Sequence, residues 1–372
     1  MPRLGMTDVY DFIIIGAGSG GLIAAKFAAT LGVRVALIEK SRVGGDCTWT
    51  GCVPSKALLK VAKVAHHART AAKYGVHAGA VETDMKAVRT YVRNAIQEVY
   101  QREPPEILQT EGIDVLLSAA QFLDPHTIRV GERTLRADKI LLTIGAHPIV
   151  PDLPGLKETP YQTYLTLFDN DRLPQRLLVI GGGPIGMEMA QAYQRLGAQV
   201  TIFAETLLPK DEPEAQVRIH RVLTNEGVQF VQSRAERVRQ EGGVITVQAK
   251  EGSVQGDMLL VAVGRAPTTE DLALDKANVV TTPKGIPVNE HLQTNVKHIY
   301  AAGDCTPDGH QFSHFAGWQA FQAVRNALLL GSSRGFADLV PWCTFTDPEV
   351  AHVGLTEAEA KQRHGSEVRV LF

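Results

Sequence analysis

The sequence of 372 residues contains few cysteines, no long apolar run and almost no net charge. Four cysteines are too few for a disulfide-stapled secreted domain, and Met1–Tyr10 lacks the positive and apolar segments of a secretory signal. A net charge of −2 does not indicate a nucleic-acid or acidic-membrane partner. The longest apolar runs, such as Phe12–Ile15, are far too short to cross a bilayer. We therefore expect a cytoplasmic protein that acts on a small molecule, in a compartment where a disulfide is more often catalytic than structural.

Glycine is abundant, and much of it lies in two turns that each join a predicted strand to a predicted helix. Each turn belongs to a βαβ pattern, and the two patterns lie roughly 165 residues apart. The predicted strand, helix and strand are Asp11–Ile15, Gly20–Leu31 and Val33–Ile38 in the first pattern, and Arg176–Ile180, Pro184–Leu196 and Gln199–Phe203 in the second. The repetition predicts an α/β protein with two Rossmann-like dinucleotide-binding domains.

The sequence also predicts helices and strands outside the two βαβ patterns. Apolar spacing predicts helices over Val53–Ala71, Met85–Gln101 and Ser313–Leu330. Short alternating runs between Ile113 and Arg136 predict a small antiparallel insertion. Lys139–Thr143 is predicted as a further strand.

The first glycine turn has the spacing G-x-G-x-x-G, formed by Gly16, Gly18 and Gly21. In this pattern the first glycine permits a tight turn, the second lets the backbone approach a pyrophosphate, and the third lets helix and strand pack closely. Glu39 follows Gly21 by 18 residues, where an acid can bind ribose hydroxyls. A glycine-rich turn without a ligand is the alternative, but strand, helix and acid in register favour a dinucleotide site.

The second turn repeats the spacing with Gly181, Gly183 and Gly186. Its acid is one position out of register, at Glu205. An enzyme that binds the 2′-phosphate of NADPH usually places arginine near this turn, and none occurs from Gln199 to Gln216. The pattern therefore favours NADH over NADPH, with a dinucleotide fold that binds no ligand as the alternative.

Cys47 and Cys52 lie five positions apart, directly after the first βαβ pattern. Two thiolates alone do not complete a tetrahedral site, so we expect no metal here. Two buried cysteines without a chemical role are another possibility, but Cys52 lies at a predicted helix start with Pro54 in the first turn. The positive end of the helix dipole favours a thiolate there, and Lys56 adds positive charge one turn later. The pattern favours a redox-active pair.

Seven motifs, in order, resemble those of the flavoprotein disulfide reductases, the group of dihydrolipoamide dehydrogenase, glutathione reductase and mercuric reductase. They are the two glycine turns with their helices, Cys47–Lys56, Thr143–Gly145, Gly264–Pro267, Ala301–Asp304 and Phe345–Glu349. The resemblance covers nearly all of residues 8–360. Gln311–Ala316 and the cysteine segment are most similar to mercuric-reductase-like enzymes.

This resemblance implies FAD in the first nucleotide-binding fold and NAD(P)H in the second. Cys52 would lie against the flavin, Cys47 would attack the substrate, and Lys56 would lie near the flavin and pair with Glu188. Asp304 would bind the ribityl chain. The residues expected to bind the cofactors are Gly16, Gly18, Gly21, Glu39, Lys56, Gly145, Gly181, Gly183, Gly186, Glu205, Gly264, Arg265, Gly303 and Asp304.

By the same resemblance, residues 1–150 and 275–337 form the FAD-binding domain and residues 151–274 the NAD(P)H-binding domain of a glutathione-reductase-like fold. Residues 338–372 would begin an α+β interface domain, through which members form homodimers. The family's interface domain supplies an acid–base histidine, but no histidine–proline segment followed by an acid occurs after Thr346, and His364 lies in a turn-like segment. We therefore expect a truncated interface domain, without the C-terminal cysteine pair with which mercuric reductases bind metal.

The sequence thus predicts an FAD-dependent oxidoreductase that passes electrons from NAD(P)H through a Cys47–Cys52 disulfide to an acceptor. The acceptor would be a disulfide, a metal ion or a small electrophile. The alternative is a flavin-binding redox sensor or interaction protein that uses the cysteine pair as a switch.

Overall fold

The computed structural model describes residues 7–307 and 310–371. Its α-helices are α1 (Ser19–Thr30), α2 (Gly45–Trp49), α3 (Cys52–Thr70), α4 (Met85–Tyr100), α5 (Pro105–Thr110), α6 (Pro184–Leu196), α7 (Pro213–Asn225), α8 (Ser313–Leu328) and α9 (Glu357–His364). Among these described residues, no helix combines the length and the apolar character needed to span a membrane.

The strands alternate with these helices along most of the chain. They are β1 (Thr7–Ile15), β2 (Val35–Glu39), β3 (Ile113–Leu117), β4 (Ala120–Asp124), β5 (Thr127–Val130), β6 (Arg133–Leu142), β7 (Ala146–Pro148), β8 (Arg176–Ile180), β9 (Gln199–Phe203), β10 (Gln229–Val231), β11 (Ala235–Glu241), β12 (Val244–Ala249), β13 (Gly252–Gly256), β14 (Met258–Val261), β15 (Arg265–Pro267), β16 (Ile299–Ala301), β17 (Trp342–Thr344) and β18 (Val350–His352). The second βαβ pattern has the bounds that the sequence predicts, because Pro184 begins α6 and Gly197, at φ 117°, ends it.

The chain divides into two compact units. The first comprises the described residues within Met1–Trp49, Gln97–His147 and Arg265–Asp338, and the second comprises those within Thr50–Ile96, Pro148–Gly264 and Leu339–Phe372. One boundary falls between α2 and α3, so that Cys47 belongs to the first unit and Cys52 to the second. The cofactor domains inferred by resemblance remain a prediction.

The first unit contains a sheet with the strand order β3-β2-β1-β6-β5-β4, and β16 also pairs with β6. The prediction of an antiparallel insertion from Ile113 to Arg136 is wrong for its first strand, because β3 runs parallel to β2. Ile113 and Val115 of β3 are buried on one face of the sheet, as alternate residues of an edge strand are, and this alternation alone does not distinguish a parallel from an antiparallel strand. In this sheet β4 pairs antiparallel with β5, and β5 pairs antiparallel with Arg133–Arg136 at the start of the long β6.

Alternate residues of β1 enter hydrophobic cores on the two faces of this sheet. Ile13 and Ile15 belong to one core, whereas Phe12 and Ile14 belong to the other. The second core also contains small residues of α1 and α8, which pack closely: a Cβ on Gly317 of α8 would lie 2.4 Å from Cδ1 of Ile23. This packing fixes α1, and with it the glycine loop at its start.

The second unit contains a parallel sheet with the strand order β10-β9-β8-β14 and an antiparallel sheet with the order β11-β12-β13. α6 connects β8 to β9, as α1 connects β1 to β2 in the first unit. The hairpin of β17 and β18 also belongs to the second unit. Each unit therefore presents a glycine turn at the carboxyl end of an inner parallel strand, where α/β proteins bind nucleotides.

Candidate functional site

The first glycine loop has a backbone that excludes side chains at both of its ends. Gly16 has φ 103°, and a Cβ there would lie 2.3 Å from the carbonyl oxygen of Thr143. A Cβ on Gly21 would lie 1.8 Å from the carbonyl oxygen of Gly16. Both positions require glycine, as the tight turn and the close helix–strand contact of a dinucleotide loop demand.

The second loop has the same geometry. Gly181 has φ 121°, and a Cβ there would lie 2.3 Å from the carbonyl oxygen of Ala262. A Cβ on Gly186 would lie 2.2 Å from the carbonyl oxygen of Gly181. Equivalent glycines thus meet equivalent carbonyl groups in the two units.

The middle glycines differ from the outer ones because space is open beside them. A Cβ on Gly18 would come no nearer than 3.8 Å to any atom, and a Cβ on Gly183 would meet nothing within 4 Å. Both residues cap the helix that follows, with extended backbones, and offer no side chain to its first N–H groups. An open cradle at a helix N-terminus fits the pyrophosphate of a dinucleotide.

Glu39, the last residue of β2, is held against the first glycine loop. The backbone N–H of Ala17 donates a hydrogen bond to Oε2 of Glu39 at 2.9 Å, and the N–H of Ser41 donates to Oε1 at 2.8 Å. The acid thus lies where the spacing from Gly21 puts a ribose-binding group, and its contact with ribose remains a prediction.

Asp304 takes part in a network of charges within the first unit. The guanidinium of Arg265 lies 3.2 Å from Oδ2 of Asp304 and 2.8 Å from Oδ2 of Asp46. Gly303, with φ 78°, donates its N–H to Oε1 of the buried Gln319 at 2.9 Å. Arg265, predicted from the resemblance as a cofactor-binding residue, therefore links Asp304 to α2, the helix that carries the first cysteine.

Gly145 and Gly264 follow β6 and β14 and both have positive φ, 70° and 139°. Gly145 accepts a hydrogen bond from the N–H of Thr268 at 3.0 Å, and Gly264 accepts one from the N–H of Ile149 at 3.0 Å. A Cβ on Gly145 would meet nothing within 4 Å. Its surroundings leave room for a ligand, as at the middle glycines of the two loops.

The two cysteines occupy different helices. Cys47 lies in the short α2 and is half-buried, whereas Cys52 is exposed and is the first residue of α3. This confirms the predicted helix start, with Pro54 in the first turn. A thiol at the first position of a 19-residue helix lies at the positive end of the helix dipole. The redox pairing of Cys47 with Cys52 remains a prediction.

Lys56 lies one turn after Cys52 and forms an ion pair with Glu188 of α6. The Lys56 ammonium is 3.0 Å from Oε2 of Glu188 and 3.3 Å from Oε1. Glu188 is buried, with 6% of the residue exposed. A buried carboxylate is costly without a cation and hydrogen-bond donors, so this pair fixes α3 against α6.

Phe345 contacts both members of the Lys56–Glu188 pair, a role that the sequence analysis did not predict. Its backbone N–H donates to Oε1 of Glu188 at 2.9 Å. The Lys56 ammonium lies over the Phe345 ring, with Nζ 4.1 Å from the ring centroid, in a cation–π contact. The one available signal was its place at the start of the Phe345–Glu349 motif.

Asp347 anchors this segment to α6. The Gln191 side chain donates to the carbonyl oxygen of Asp347 at 2.9 Å and accepts from its N–H at 2.8 Å. The buried Arg195 donates to Oδ2 of Asp347 at 2.9 Å, and its guanidinium also pairs with Glu226, Nε to Oε2, at 2.7 Å. These contacts hold the chain two residues beyond Phe345, and they thereby fix Phe345 against Glu188.

Arg195 shifts the pKa values of two neighbours. Partial burial acts to raise the pKa of Asp347, but the hydrogen bond and positive charge of Arg195 hold that pKa below its ordinary value. Burial, together with the charge of Arg195, lowers the pKa of His66 on α3. Asp347 is therefore charged, and His66 neutral, at neutral pH.

Glu205 follows β9 and forms an ion pair with Arg234, whose Nε lies 2.7 Å from Oε2 of Glu205. Arg234 lies outside the range Gln199–Gln216, in which the sequence pattern places an arginine that binds the 2′-phosphate, so it was not predicted. Across residues 7–307 and 310–371, no group of three or more His, Cys, Asp or Glu side chains is arranged to hold a metal ion.

Comparisons with known proteins agree with this geometry. The family described as "Pyridine nucleotide-disulphide oxidoreductase" matches residues 10–328, and its dimerisation domain matches residues 340–371. The mercuric reductase of Bacillus cereus is 34% identical over 368 residues, which cover 97% of this chain and 58% of the relative. The mercuric reductase of Shigella flexneri is 37% identical over 372 residues, with 96% and 66% covered. The chain thus spans less than two thirds of the length of these relatives.

Among solved structures, the chain is similar to the HOCl-induced flavoprotein disulfide reductase RclA from Escherichia coli. The TM-score is 0.85 at 28% sequence identity, with 95% of this chain and 79% of that chain covered. The Cu(II) complex of the same protein gives a TM-score of 0.84 at 28% identity, with the same coverage. These matches confirm the glutathione-reductase-like α/β fold predicted from the sequence.

Two βαβ folds with matching glycine cradles have the geometry of a dinucleotide-binding protein, and a pair of cysteines follows the first of them in the chain. With most of its length matched by the family comparison, this chain belongs to the pyridine nucleotide-disulphide oxidoreductases, in the class I group of flavoprotein disulfide reductases.

Proposed function

We propose that the chain carries the FAD- and NAD(P)H-binding parts of an oxidoreductase that passes two electrons from NAD(P)H to the Cys47–Cys52 pair and on to an acceptor. The matching geometry of the two glycine loops is the observation that supports this most directly. Residues 1–150 and 275–337 would bind FAD, and residues 151–274 would bind the coenzyme. FAD, when bound, supplies the two-electron relay between the coenzyme and the cysteine pair.

The residues of the first unit fit the ADP half of FAD. The open cradle beside Gly18 accommodates a pyrophosphate, and the helix N-terminus that follows favours its negative charge. Glu39 already receives two backbone N–H groups, which orient its carboxylate toward the loop. Asp304, oriented by Arg265, would accept hydrogen bonds from the ribityl hydroxyl groups.

The chain's own residues determine the chemistry of the thiols. Cys52 at the start of α3 is favoured as a thiolate by the helix dipole, and the Lys56 ammonium adds positive charge one turn away. Glu188 and the ring of Phe345 hold that ammonium in one position. We propose Cys52 as the thiol that receives electrons and Cys47 as the thiol that attacks the acceptor.

The terminal acceptor would be a disulfide, a metal ion or a small electrophile. The names of the relatives, mercuric reductase and HOCl-induced flavoprotein disulfide reductase, support testing these classes first. The match of residues 340–371 to a dimerisation domain supports a homodimer. The low cysteine count supports a cytoplasmic location.

The direct test is anaerobic reduction of the purified, FAD-loaded protein. Addition of NADH or NADPH should bleach the flavin absorption, and a panel of disulfides, Hg²⁺ and quinones should then restore it. A control protein in which Cys52 is serine should still be bleached by the coenzyme but should not reduce disulfides. A protein that binds FAD and is not bleached by either coenzyme would rule out the proposed function.

Gly183→Ala and Gly186→Ala separate coenzyme binding from folding in the second loop. Gly186→Ala should unfold at a much lower temperature, because its Cβ would lie 2.2 Å from the Gly181 carbonyl oxygen. Gly183→Ala should change the unfolding free energy by less than about 0.5 kcal/mol, because its Cβ enters open space. It should nevertheless weaken coenzyme binding about tenfold, because the methyl group occupies the pyrophosphate position. Thermal melts measure the stability of both variants, and coenzyme titrations measure their affinity for the coenzyme. An unchanged coenzyme affinity in Gly183→Ala would contradict the assignment of the second glycine loop to coenzyme binding.

A further inference from the structure

Glu205 and Arg234 lie side by side at the carboxyl edge of the second unit's parallel sheet. Glu205 follows β9 by two residues, and Arg234 follows β10 by three. β9 and β10 are parallel neighbours, so both residues leave the sheet at the same edge as the second glycine loop. Nε of Arg234 donates a hydrogen bond to Oε2 of Glu205 at 2.7 Å.

The segment that carries Glu205 packs directly on that glycine loop. A Cβ on Gly182 would lie 2.5 Å from the carbonyl oxygen of Thr206 and 2.9 Å from Cβ of Ala204. The N–H of Leu208 donates to the carbonyl oxygen of Gly182 at 2.8 Å. The backbone that carries the acid is therefore packed beside the loop, and the ion pair brings Arg234 to the same place.

The two side chains suit different coenzymes. An acid at this position accepts hydrogen bonds from the ribose hydroxyls of NADH, whereas an arginine pairs with the 2′-phosphate of NADPH. Both side chains are exposed, and an exposed ion pair contributes little to stability. Arg234 can therefore exchange the carboxylate for a phosphate, with which a guanidinium forms strong paired hydrogen bonds.

We propose that Glu205 and Arg234 form a coenzyme-selecting pair that lets this chain use both NADH and NADPH, with Arg234 as the residue that binds the 2′-phosphate. The inference rests on the proposed function, because it assumes that the second glycine loop binds the coenzyme. The sequence predicts a preference for NADH over NADPH because no arginine occurs from Gln199 to Gln216, a range that excludes Arg234. In the fold, β10 brings that arginine to the acid.

The test uses 2′,5′-ADP and 5′-AMP, two fragments that differ only by the 2′-phosphate and need no flavin chemistry. Calorimetric titration of the FAD-loaded protein should give dissociation constants for the two within about tenfold of each other. Arg234→Ala should weaken 2′,5′-ADP binding about tenfold or more and change 5′-AMP binding less than about twofold. Glu205→Gln should strengthen 2′,5′-ADP binding and weaken 5′-AMP binding. Arg234→Lys, which keeps the charge, should recover part of the loss.

Arg239→Ala is the matched control, because Arg239 is also an exposed arginine of the second unit in an ion pair, 3.3 Å from Glu241 on β11. It should leave both dissociation constants unchanged. If Arg234→Ala weakens both fragments equally, or neither, the inference is wrong. If the fragments follow the expected pattern but NADH and NADPH both leave the flavin oxidised, the proposed function fails and the coenzyme-selecting pair stands. Binding of neither fragment would overturn both.

Discussion

Replacement of Cys52 by serine should lower disulfide reductase turnover on the order of a thousandfold or more, while FAD binding is retained. Serine is not ionised at neutral pH and cannot form a disulfide with Cys47, so no disulfide remains to accept the electron pair. The exposed position of Cys52 at the start of α3 lets the substitution proceed without a packing defect. Steady-state assays with a disulfide acceptor measure the loss.

The spectrum distinguishes the two cysteines. On reduction, the parent protein should show the long-wavelength absorption band that a thiolate gives beside a flavin, and Cys52→Ser should not. Cys47→Ser should show the band without any reductant, because Cys52 then has no disulfide partner. Coenzyme-to-dye electron transfer should persist in both variants. The same band in Cys52→Ser as in the parent would show that Cys52 is not the thiol next to the flavin.

Replacement of Arg195 by methionine should reduce the unfolding free energy by about 3 kcal/mol at pH 7. The guanidinium is buried, and its removal leaves Glu226 without its cation and Asp347 with only the more distant Lys63, 3.8 Å away. We expect the low end of the range for a broken buried pair, because water reaches part of Asp347, whose side chain is 37% exposed. Denaturant unfolding measures the change.

The difference between parent and Arg195→Met should narrow as the pH falls. Because Arg195 holds the pKa of Asp347 below its unfolded value of about 3.9, the pair stabilises the parent fully above that pH and loses its effect below it. Arg93→Met is the control, since Arg93 pairs with Asp169 at 3.0 Å on the surface and should cost less than about 1 kcal/mol. Equal stability of Arg195→Met and the parent at pH 7 would contradict the stabilising role assigned to Arg195.

Local pattern was enough to predict the nucleotide-binding parts of the fold. The spacing of apolar residues and the positions of the glycines predicted β1, α1, β8, α6 and β9. In these segments the strand, turn and helix are determined by residues that are close together in the sequence. Glu39 was found because a fixed number of residues separates it from Gly21. The Lys56–Glu188 pair came from the resemblance, since nothing local relates residues 132 positions apart.

The remaining features depend on contacts that one sequence does not reveal. Arg234 reaches Glu205 through the pairing of β10 with β9, and the sequence gives no register for that pairing. Phe345 acts on Glu188 through its backbone N–H, which every residue except proline possesses. The pattern predicted β3 as part of an antiparallel insertion, because a short apolar run suits an antiparallel and a parallel strand equally well.

The contact from Phe345 to Glu188 has a consequence for assembly. Phe345 and Asp347 lie within the segment that matches the family's dimerisation domain, yet they also hold the ion pair one turn beyond Cys52. If that segment detached, Glu188 would lose a hydrogen-bond donor and the Lys56 ammonium would lose its aromatic face. A polypeptide still folding its carboxyl-terminal part would therefore hold the Lys56 ammonium with fewer contacts, and the charged surroundings proposed for Cys52 would form only when that part had docked.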